Sequence, residues 1–283
     1  MKSGFVMLAG RSNVGKSTLL NALVGTKVAI TTPKPQTTRQ PIRGILNDKR
    51  GQIVFVDTPG LFIGEKDPLS RRLNEYVRDT LKGVDAIIYV LDPTREHGQE
   101  EARIQAMLRA SELPILIVIN KSDLPEGKRA YMDTYLEVSV GQSEIIPVSA
   151  KTHSNLNALI DRIFTLVPEG EAYYPEGQMT DLAHKEWVEE IIREKVFLSL
   201  AEELPYSAMV RVDDLETRDD GTRVIYASII TTTERHKRMI IGAGARKIKE
   251  IGIQVRKELE MALQTKVYLD LKVKVDAHWR EQF

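Results

Sequence analysis

The chain has 283 residues, which is enough for about two domains that each bury a core. It has no cysteine, which excludes disulfides and thiolate metal sites, and no apolar run near the ~20 residues that a membrane-spanning helix needs. Its 40 basic and 40 acidic side chains balance, so a surface for nucleic acid would have to come from local clustering of charge.

The first predicted strand, Phe5–Ala9, runs into a glycine-rich loop and then a helix over Thr18–Val24. Met1–Gly4 leads directly into this strand, so we expect no signal peptide and a cytoplasmic protein. The loop matches the pattern in which backbone N–H groups and a helix N-terminus hold phosphate oxygens, with a lysine at the β- and γ-phosphates and a hydroxyl on Mg²⁺. The predicted phosphate-binding residues are Gly10, Arg11, Ser12, Asn13, Val14, Gly15, Lys16, Ser17 and Thr18.

The next stretch, Thr31–Arg43, is rich in Thr, Pro, Lys and Arg and has no apolar period. It stands where a first switch segment would follow the phosphate loop. We expect Thr38 to close on Mg²⁺ and the γ-phosphate, with Thr37 as the weaker candidate.

A second apolar run, Ile53–Val56, ends at Asp57, whose carboxylate would lie at the carboxyl edge of the sheet and hold Mg²⁺ through a water. Gly60 would offer its N–H to the γ-phosphate. Leu61–Arg78 is the predicted second switch, with residues 64–67 mobile in the GDP state. Because Leu61 cannot hydrogen-bond an attacking water, we expect slow intrinsic hydrolysis that depends on Lys16, Mg²⁺ and backbone groups.

Strands predicted at Ala86–Leu91 and Ile115–Ile119 lead to a base-recognition segment that begins at Asn120. The Asp123 carboxylate suits the paired N1–H and N2–H₂ donors of guanine, which adenine lacks. Asn120 would tie this segment to the phosphate loop, and the Ala150 N–H would donate to guanine O6. The Lys121 stem would cover the base. The full predicted set for the base is Asn120, Lys121, Asp123, Ser149, Ala150 and Lys151.

Alternation of strands and helices through residue 167, with a further strand at 144–148, predicts an α/β fold, a doubly wound and mostly parallel sheet. A run rich in proline, glycine and carboxylates at 168–178 is predicted to be a linker, followed by a second domain over 179–283. There we expect a helix capped by Thr180 or Asp181 and running to Leu200, two strands, a short helix, a glycine turn, a longer helix and a last strand at 267–275.

The glycine turn resembles the helix–GXXG–helix signature of KH modules, which clamps the phosphates of single-stranded RNA. Eight basic side chains and one acidic side chain lie between Arg235 and Lys257, a strong local asymmetry in a neutral protein. Two alanines depart from the family pattern: Ala245 can still adopt helical dihedrals, whereas Ala243 removes a possible phosphate contact. The predicted RNA-binding residues are Arg235, Lys237, Arg238, Ile241, Gly242, Ala243, Gly244, Ala245, Arg246, Lys247 and Lys249.

Taken together, these motifs resemble the translation-factor-related GTPases and, most closely, the Era branch of bacterial ribosome-assembly GTPases. The Pro-Gln-Thr-Thr-Arg run at 35–39 and the Asp-Thr-Pro-Gly-Leu run at 57–61 carry this resemblance together with the second half. It implies a P-loop GTPase (G) domain followed by a smaller α+β KH domain of type II. It also implies GTP, GDP and Mg²⁺ as ligands, and the 3′ end of 16S rRNA and the assembling 30S subunit as partners; we predict no stable oligomer.

Several alternatives stay open at this level. Asn13 would bind K⁺ in the manner of related GTPases, or would make only a local backbone hydrogen bond. The protein could instead be an RNA-binding scaffold that uses GTP as a structural ligand, or a kinase or ATPase, although the Asn120–Asp123 segment argues against the latter. Peripheral association with the inner face of the cell membrane is an alternative for the amphipathic helix at 181–200, for which core packing is the better explanation.

Overall fold

The computed structural model describes residues 1–34, 41–59, 68–138, 144–200 and 204–279. For residues 68–74 and 206 it describes the backbone alone. The chain forms two compact units, Met1–Asp181 and Leu182–Phe283. Among the described residues, no helix is long and apolar enough to cross a membrane.

The first unit is built on a six-stranded sheet in the order β2-β3-β1-β4-β5-β6. Five strands are parallel and were predicted, because buried parallel strands need near-continuous apolar runs. Their bounds are β1 Lys2–Ala9, β3 Gly51–Asp57, β4 Ala86–Leu91, β5 Ile115–Ile119 and β6 Glu144–Pro147.

The edge strand β2, Ile42–Asp48, is antiparallel to β3 and was not predicted. Its glycine weakens the strand pattern but is required by packing: a Cβ at Gly44 would lie 2.6 Å from Cδ1 of Leu20. The predicted first switch segment therefore ends inside a strand, at Arg43.

Two layers of helices accompany this sheet. One face, which includes Met7, Tyr89 and Ile117, packs against Val77, Ile104 and Tyr135 from three helices. Helix α1 contacts β1, β2 and β3 and also α5. The helices are α1 Lys16–Val24, α2 Pro68–Leu81, α3 Gln99–Arg109, α4 Met132–Leu136 and α5 Leu156–Leu166.

The second unit has the element order expected of a type II KH domain. Its three-stranded sheet has the order β7-β8-β9, with an antiparallel and a parallel pair. The core joins Val188, Ile192 and Val196 to Ile251 and Leu259, so the predicted helical stripe is a packing face. The elements are α6 His184–Ser199, β7 Ala208–Thr217, β8 Arg223–Thr231, α7 Glu234–Ile241, α8 Arg246–Leu263 and β9 Val267–Val275.

The segment at 168–181 packs on the first unit. The ring of Tyr173 lies 4.6 Å from that of Phe5, and the side chain of Gln52, which is buried, donates to the Tyr174 carbonyl at 2.9 Å. The predicted capping of α6 by Thr180 or Asp181 is wrong, since Ala183 occupies the N-cap position. Both side chains are instead engaged by the first unit.

Candidate functional site

The glycine-rich loop connects β1 to α1 and has no room for side chains at two of its positions. Gly10 and Gly15 have positive φ angles of 151° and 98°. A Cβ would lie 2.5 Å from the Val90 carbonyl oxygen at Gly10 and 2.3 Å from Asn120 Nδ2 at Gly15. The loop thus needs glycine both for its dihedrals and for its close neighbours.

Lys16 holds this loop from within. Its ammonium is buried and donates to the carbonyls of Gly10 at 3.0 Å and Arg11 at 2.9 Å. Burial lowers the pKa of Lys16, and the Asp57 carboxylate opposes that effect. Because an ammonium has three donors, Lys16 can fix the loop and still bind an anion such as a phosphate.

Ser17 and Asp57 bring two oxygen ligands together beside Lys16. The Ser17 hydroxyl donates to Asp57 Oδ2 at 2.5 Å, and Asp57 is fully buried at the end of β3. Oxygen ligands suit Mg²⁺, which keeps several waters and binds through few protein groups plus substrate phosphates. The described residues contain no cluster of three or more His, Cys, Asp or Glu that could hold a metal ion.

Asn120 joins three loops next to Gly15. Its buried amide donates to the Val14 carbonyl at 3.0 Å and accepts from the Ala150 N–H at 3.0 Å. The predicted tie to the phosphate loop is therefore present. The Ala150 N–H, however, is bonded to Asn120 in this structure, so donation to guanine O6 would require that hydrogen bond to be shared or exchanged.

Asp123 is oriented by a neighbour from the loop after β6. The Ser149 hydroxyl donates to Asp123 Oδ1 at 2.6 Å and accepts from the Thr152 N–H at 3.1 Å. A carboxylate can accept about four hydrogen bonds, so this contact leaves Asp123 able to accept a pair of base donors.

Lys121 has a partner that sequence reasoning missed. Its ammonium pairs with Asp92 Oδ2 at 2.5 Å and donates to the Asn13 carbonyl at 3.4 Å. These contacts fix the stem between the base segment and the phosphate loop. Asp92 directly follows β4, and a carboxylate at the carboxyl end of a parallel strand is the signal that could have identified it.

Two arginines brace the phosphate loop and also escaped prediction in that role. Arg11 donates to Glu100 at 2.6 Å and to Glu101 at 2.7 Å, both at the start of α3. Arg95 donates to the Ser12 carbonyl at 2.8 Å. The Arg11 side chain is therefore directed to α3, and its proposed contribution to phosphate binding is that of its backbone.

Asn13 has left-handed dihedrals, with φ 67°, and its amide nitrogen donates to the Pro33 carbonyl at 2.8 Å. This contact links the loop to the start of the predicted first switch. The amide oxygen is the atom that a K⁺ ion would bind. Thr37, Thr38, Gly60 and Leu61, together with residues 64–67, lie outside the described residues.

The glycine turn of the second unit lies between α7 and α8. Gly242 and Gly244 have φ angles of 73° and 57°, and a Cβ at Gly242 would lie 2.9 Å from that of Lys247. Ala245 has φ 58° and ψ 22°, so the expectation of helical dihedrals there is wrong. The turn needs a left-handed residue to start α8, and the alanine bears a steric cost that glycine avoids.

Basic side chains flank this turn on both helices. Arg235, Arg238, Arg246 and Lys249 are exposed, while Lys247 is half-buried. Lys237 is also half-buried and lies 3.7 Å from Glu234. Beside the turn is a hollow of about 580 Å³, whose lining residues are Gly244, Arg246, Lys249, Glu250, Ile253 and Gln254. Ile241, which is half-buried, and exposed Ala243 complete the predicted set.

Two family models match the chain. Residues 5–121 match a family described as 50S ribosome-binding GTPase, and residues 195–280 match the KH domain family. The two matched regions fall in the two compact units.

Full-length relatives are also similar. GTPase Era of Halothermothrix orenii is 42% identical over 286 residues, covering 99% of this chain and 95% of that protein. A crystal structure of a variant Era of Aquifex aeolicus bound to GDP·AlF₄⁻ superposes with a TM-score of 0.91 at 37% identity, covering 100% of this chain and 96% of the other. A structure of Era in complex with MgGDPNP and nucleotides 1506–1542 of 16S ribosomal RNA gives a TM-score of 0.92, with the same identity and coverage.

Proposed function

The chain belongs to the Era family of GTPases, and we propose from this premise that it is a molecular switch whose GTP cycle controls RNA binding by its KH domain. The observation that carries the nucleotide-binding part of the proposal is the meeting of three loops at Asn120, which joins the phosphate loop to both base-recognition loops. The catalysed reaction is hydrolysis of GTP to GDP and phosphate.

The predicted phosphate-loop residues, from Gly10 to Thr18, would bind the phosphates, with Lys16 at the β- and γ-phosphates. Asp123 would accept the paired donors of guanine, and the bonds of Asn120 would keep this carboxylate in register with the loop. Asp123 is exposed in this structure, and a bound base would cover its carboxylate. A site built around such a pair rejects adenine because the covered carboxylate would be left without donors.

The pair of Ser17 and Asp57 fits Mg²⁺, with Thr38 as the third protein group. When bound, Mg²⁺ would neutralise charge on the β- and γ-phosphate oxygens. Lys16, the Gly60 N–H and the Asn13 side chain would stabilise charge that develops during hydrolysis, and a K⁺ ion at Asn13 is the alternative source of that charge. With Leu61 unable to orient water, intrinsic turnover would be slow.

The glycine turn and its basic flanks would clamp single-stranded RNA, since a turn with exposed N–H groups beside cationic side chains suits phosphates. The solved relative bound to nucleotides 1506–1542 of 16S rRNA supports the 3′ end of that RNA as the first candidate. The 30S subunit, which the family resemblance implies, is the assembly partner in this proposal. A cytoplasmic location follows from such a partner, with peripheral binding to the membrane as the alternative.

The test is binding of a fluorescent oligonucleotide from the 3′ end of 16S rRNA with a GTP analogue, with GDP and without nucleotide. Different affinities between states support the switch, whereas equal affinity in all three favours the scaffold alternative. No binding in any state contradicts the RNA assignment.

A pair of variants places that binding on the KH surface. Arg246→Gln combined with Lys249→Gln should weaken binding, because two exposed cations beside the turn are lost. Arg162→Gln, an exposed arginine on α5 of the first unit, is the matched control and should bind like the wild type.

A further inference from the structure

The exposed edge of β2 is covered by the last residues of the first unit. Residues 178–181 lie along this strand: the Ile45 N–H donates to the Met179 carbonyl at 2.9 Å, and Gly44 pairs with Thr180 in an antiparallel bridge. Because β2 is an edge strand, its outer N–H and C=O groups would otherwise face solvent. We call residues 178–181 the docked segment.

Side chains concentrate at one end of the docked segment. The Thr180 hydroxyl donates to the backbone carbonyl of Arg43 at 2.8 Å. The Arg43 guanidinium pairs with the Asp181 carboxylate at 2.7 Å. Arg43 thus binds both residues through different groups. At the other end, Asn47 contributes one side-chain bond to the Gln178 carbonyl at 3.2 Å.

Arg43 is also next to the nucleotide site through the backbone. The register of β2 and β3 pairs Ile42 with Asp57, the residue bonded to Ser17. Ile42 lies four positions after Thr38, so the two are at most about 13–14 Å apart. The predicted movement of Thr38 toward a γ-phosphate would therefore take place close to the start of β2, where Arg43 holds the docked segment.

Beyond Asp181 the chain enters the second unit almost at once. Leu182 begins that unit and α6 starts at His184. This explains why two good capping residues, Thr180 and Asp181, do not cap α6: both are bonded to Arg43. Because Arg43 holds Thr180 and Asp181, it fixes the point on β2 at which the chain leaves the first unit.

We propose that Arg43, Thr180 and Asp181 form a latch through which the nucleotide state of the GTPase unit controls RNA binding by the KH unit. The inference rests on the proposed function and deepens it by naming the connection. The Arg43 side chain is 48% exposed and that of Asp181 26%, so their ion pair is weak enough to open and close reversibly. A latch of this kind needs two accessible states, and an exposed pair beside a moving strand has them.

The experiment measures the ratio of RNA affinities with GTP analogue and with GDP, using the 16S rRNA 3′-end oligonucleotide. Allosteric proteins commonly show ratios of about 5- to 150-fold. Asp181→Asn removes the ion pair without altering the nucleotide loops, so nucleotide affinity should stay as in the wild type. If the latch transmits the signal, the affinity ratio should fall to within about twofold of unity.

Two further variants sharpen this test. Asp181→Arg combined with Arg43→Asp reverses the pair and should restore the ratio that Asp181→Arg alone removes. Arg50→Gln is the matched control, since Arg50 pairs with Asp161 at 2.5 Å in the same unit but outside the latch, and it should keep the wild-type ratio.

The outcomes separate the two proposals. A wild-type protein with a clear ratio, together with an Asp181→Asn variant that retains it, overturns the latch and leaves the switch intact. A wild-type protein with equal affinities in both states contradicts the switch and the latch together. Loss of the ratio in Asp181→Asn with recovery in the charge-reversed pair supports both.

Discussion

Replacing Asn120 by alanine would test whether one buried amide holds the nucleotide pocket together. The side chain is 3% exposed, and its loss would leave the Val14 carbonyl and the Ala150 N–H without their partner. A buried group deprived of its partner costs about 1–3 kcal/mol, so the two together predict a loss of about 2–6 kcal/mol in the free energy of unfolding. Guanine nucleotide affinity should fall as well, since the loops would no longer share one anchor.

The distribution of tryptophan makes this loss measurable for each unit separately. The two tryptophans of the chain, Trp187 and Trp279, both belong to the second unit. Unfolding in urea is measured without nucleotide, with hydrogen exchange reporting on the first unit and tryptophan fluorescence on the second. In the Asn120→Ala variant, the first unit should unfold at a lower urea concentration, and the transition of the second unit should not change.

Asn47→Ala is the matched control for this experiment. Asn47 also donates one side-chain hydrogen bond, to Gln178, and accepts one, from Gln52, but it is exposed. Truncation of this exposed side chain opens its partners to water, and the buried Gln52 amide keeps its second bond, to the Tyr174 carbonyl. The loss should therefore cost under about 1 kcal/mol. Equal effects of the two alanine variants, or an Asn120→Ala protein within about 1 kcal/mol of the wild type, would refute the reasoning.

Three more predictions concern the base, the glycine turn and pH. Asp123→Asn should lower GTP affinity by about 10²-fold or more, because charged hydrogen bonds are worth about 1.5–3 kcal/mol each, and should favour xanthine nucleotides in competition binding; unchanged base preference would contradict the assignment. Ala245→Gly should stabilise the second unit by about 0.5–1 kcal/mol in urea unfolding, since relief of left-handed strain exceeds the entropy cost of glycine, whereas Ala243→Gly should destabilise it. Burial raises the pKa of Tyr135 to about 12, whereas its pKa in the unfolded chain is near 10. Its contribution to the stability of the first unit is therefore complete below pH 10 and is lost as the pH rises through 12. Tyr135→Phe should reduce this alkaline loss of stability, and an unchanged pH profile of unfolding would contradict the role of Tyr135.

The parallel strands and the phosphate loop were predictable because their causes are local. A buried parallel strand requires a continuous apolar run, as in Ala86–Leu91, and the loop requires glycine at Gly10 and Gly15 because both have positive φ angles. The KH helices were predictable for the same reason, since the stripe carrying Val188 and Ile192 faces the core.

The missed features have partners that are distant in the chain. Asp92 bonds Lys121 across 29 residues, and Arg11 bonds Glu101 across 90. The position of Asp92 at the end of β4 is a local signal for a functional carboxylate, but it does not reveal the partner. The left-handed Ala245 is set by the geometry of the turn: the family pattern has glycine at this position, but the propensity of alanine favours helical dihedrals.

The wrong helix cap is the most informative of these differences. Thr180 and Asp181 are strong capping residues, and local chemistry alone predicts that they begin α6. Arg43 lies more than 130 residues earlier and engages both, so the helix begins at His184 without them. A local preference is overridden only where tertiary contacts supply at least as much free energy as the cap would have, typically about 1 kcal/mol. The bonds to Arg43 must therefore supply at least as much free energy as an ordinary cap. The latch requires that they supply only a little more, because opening them then costs little once the freed side chains cap α6.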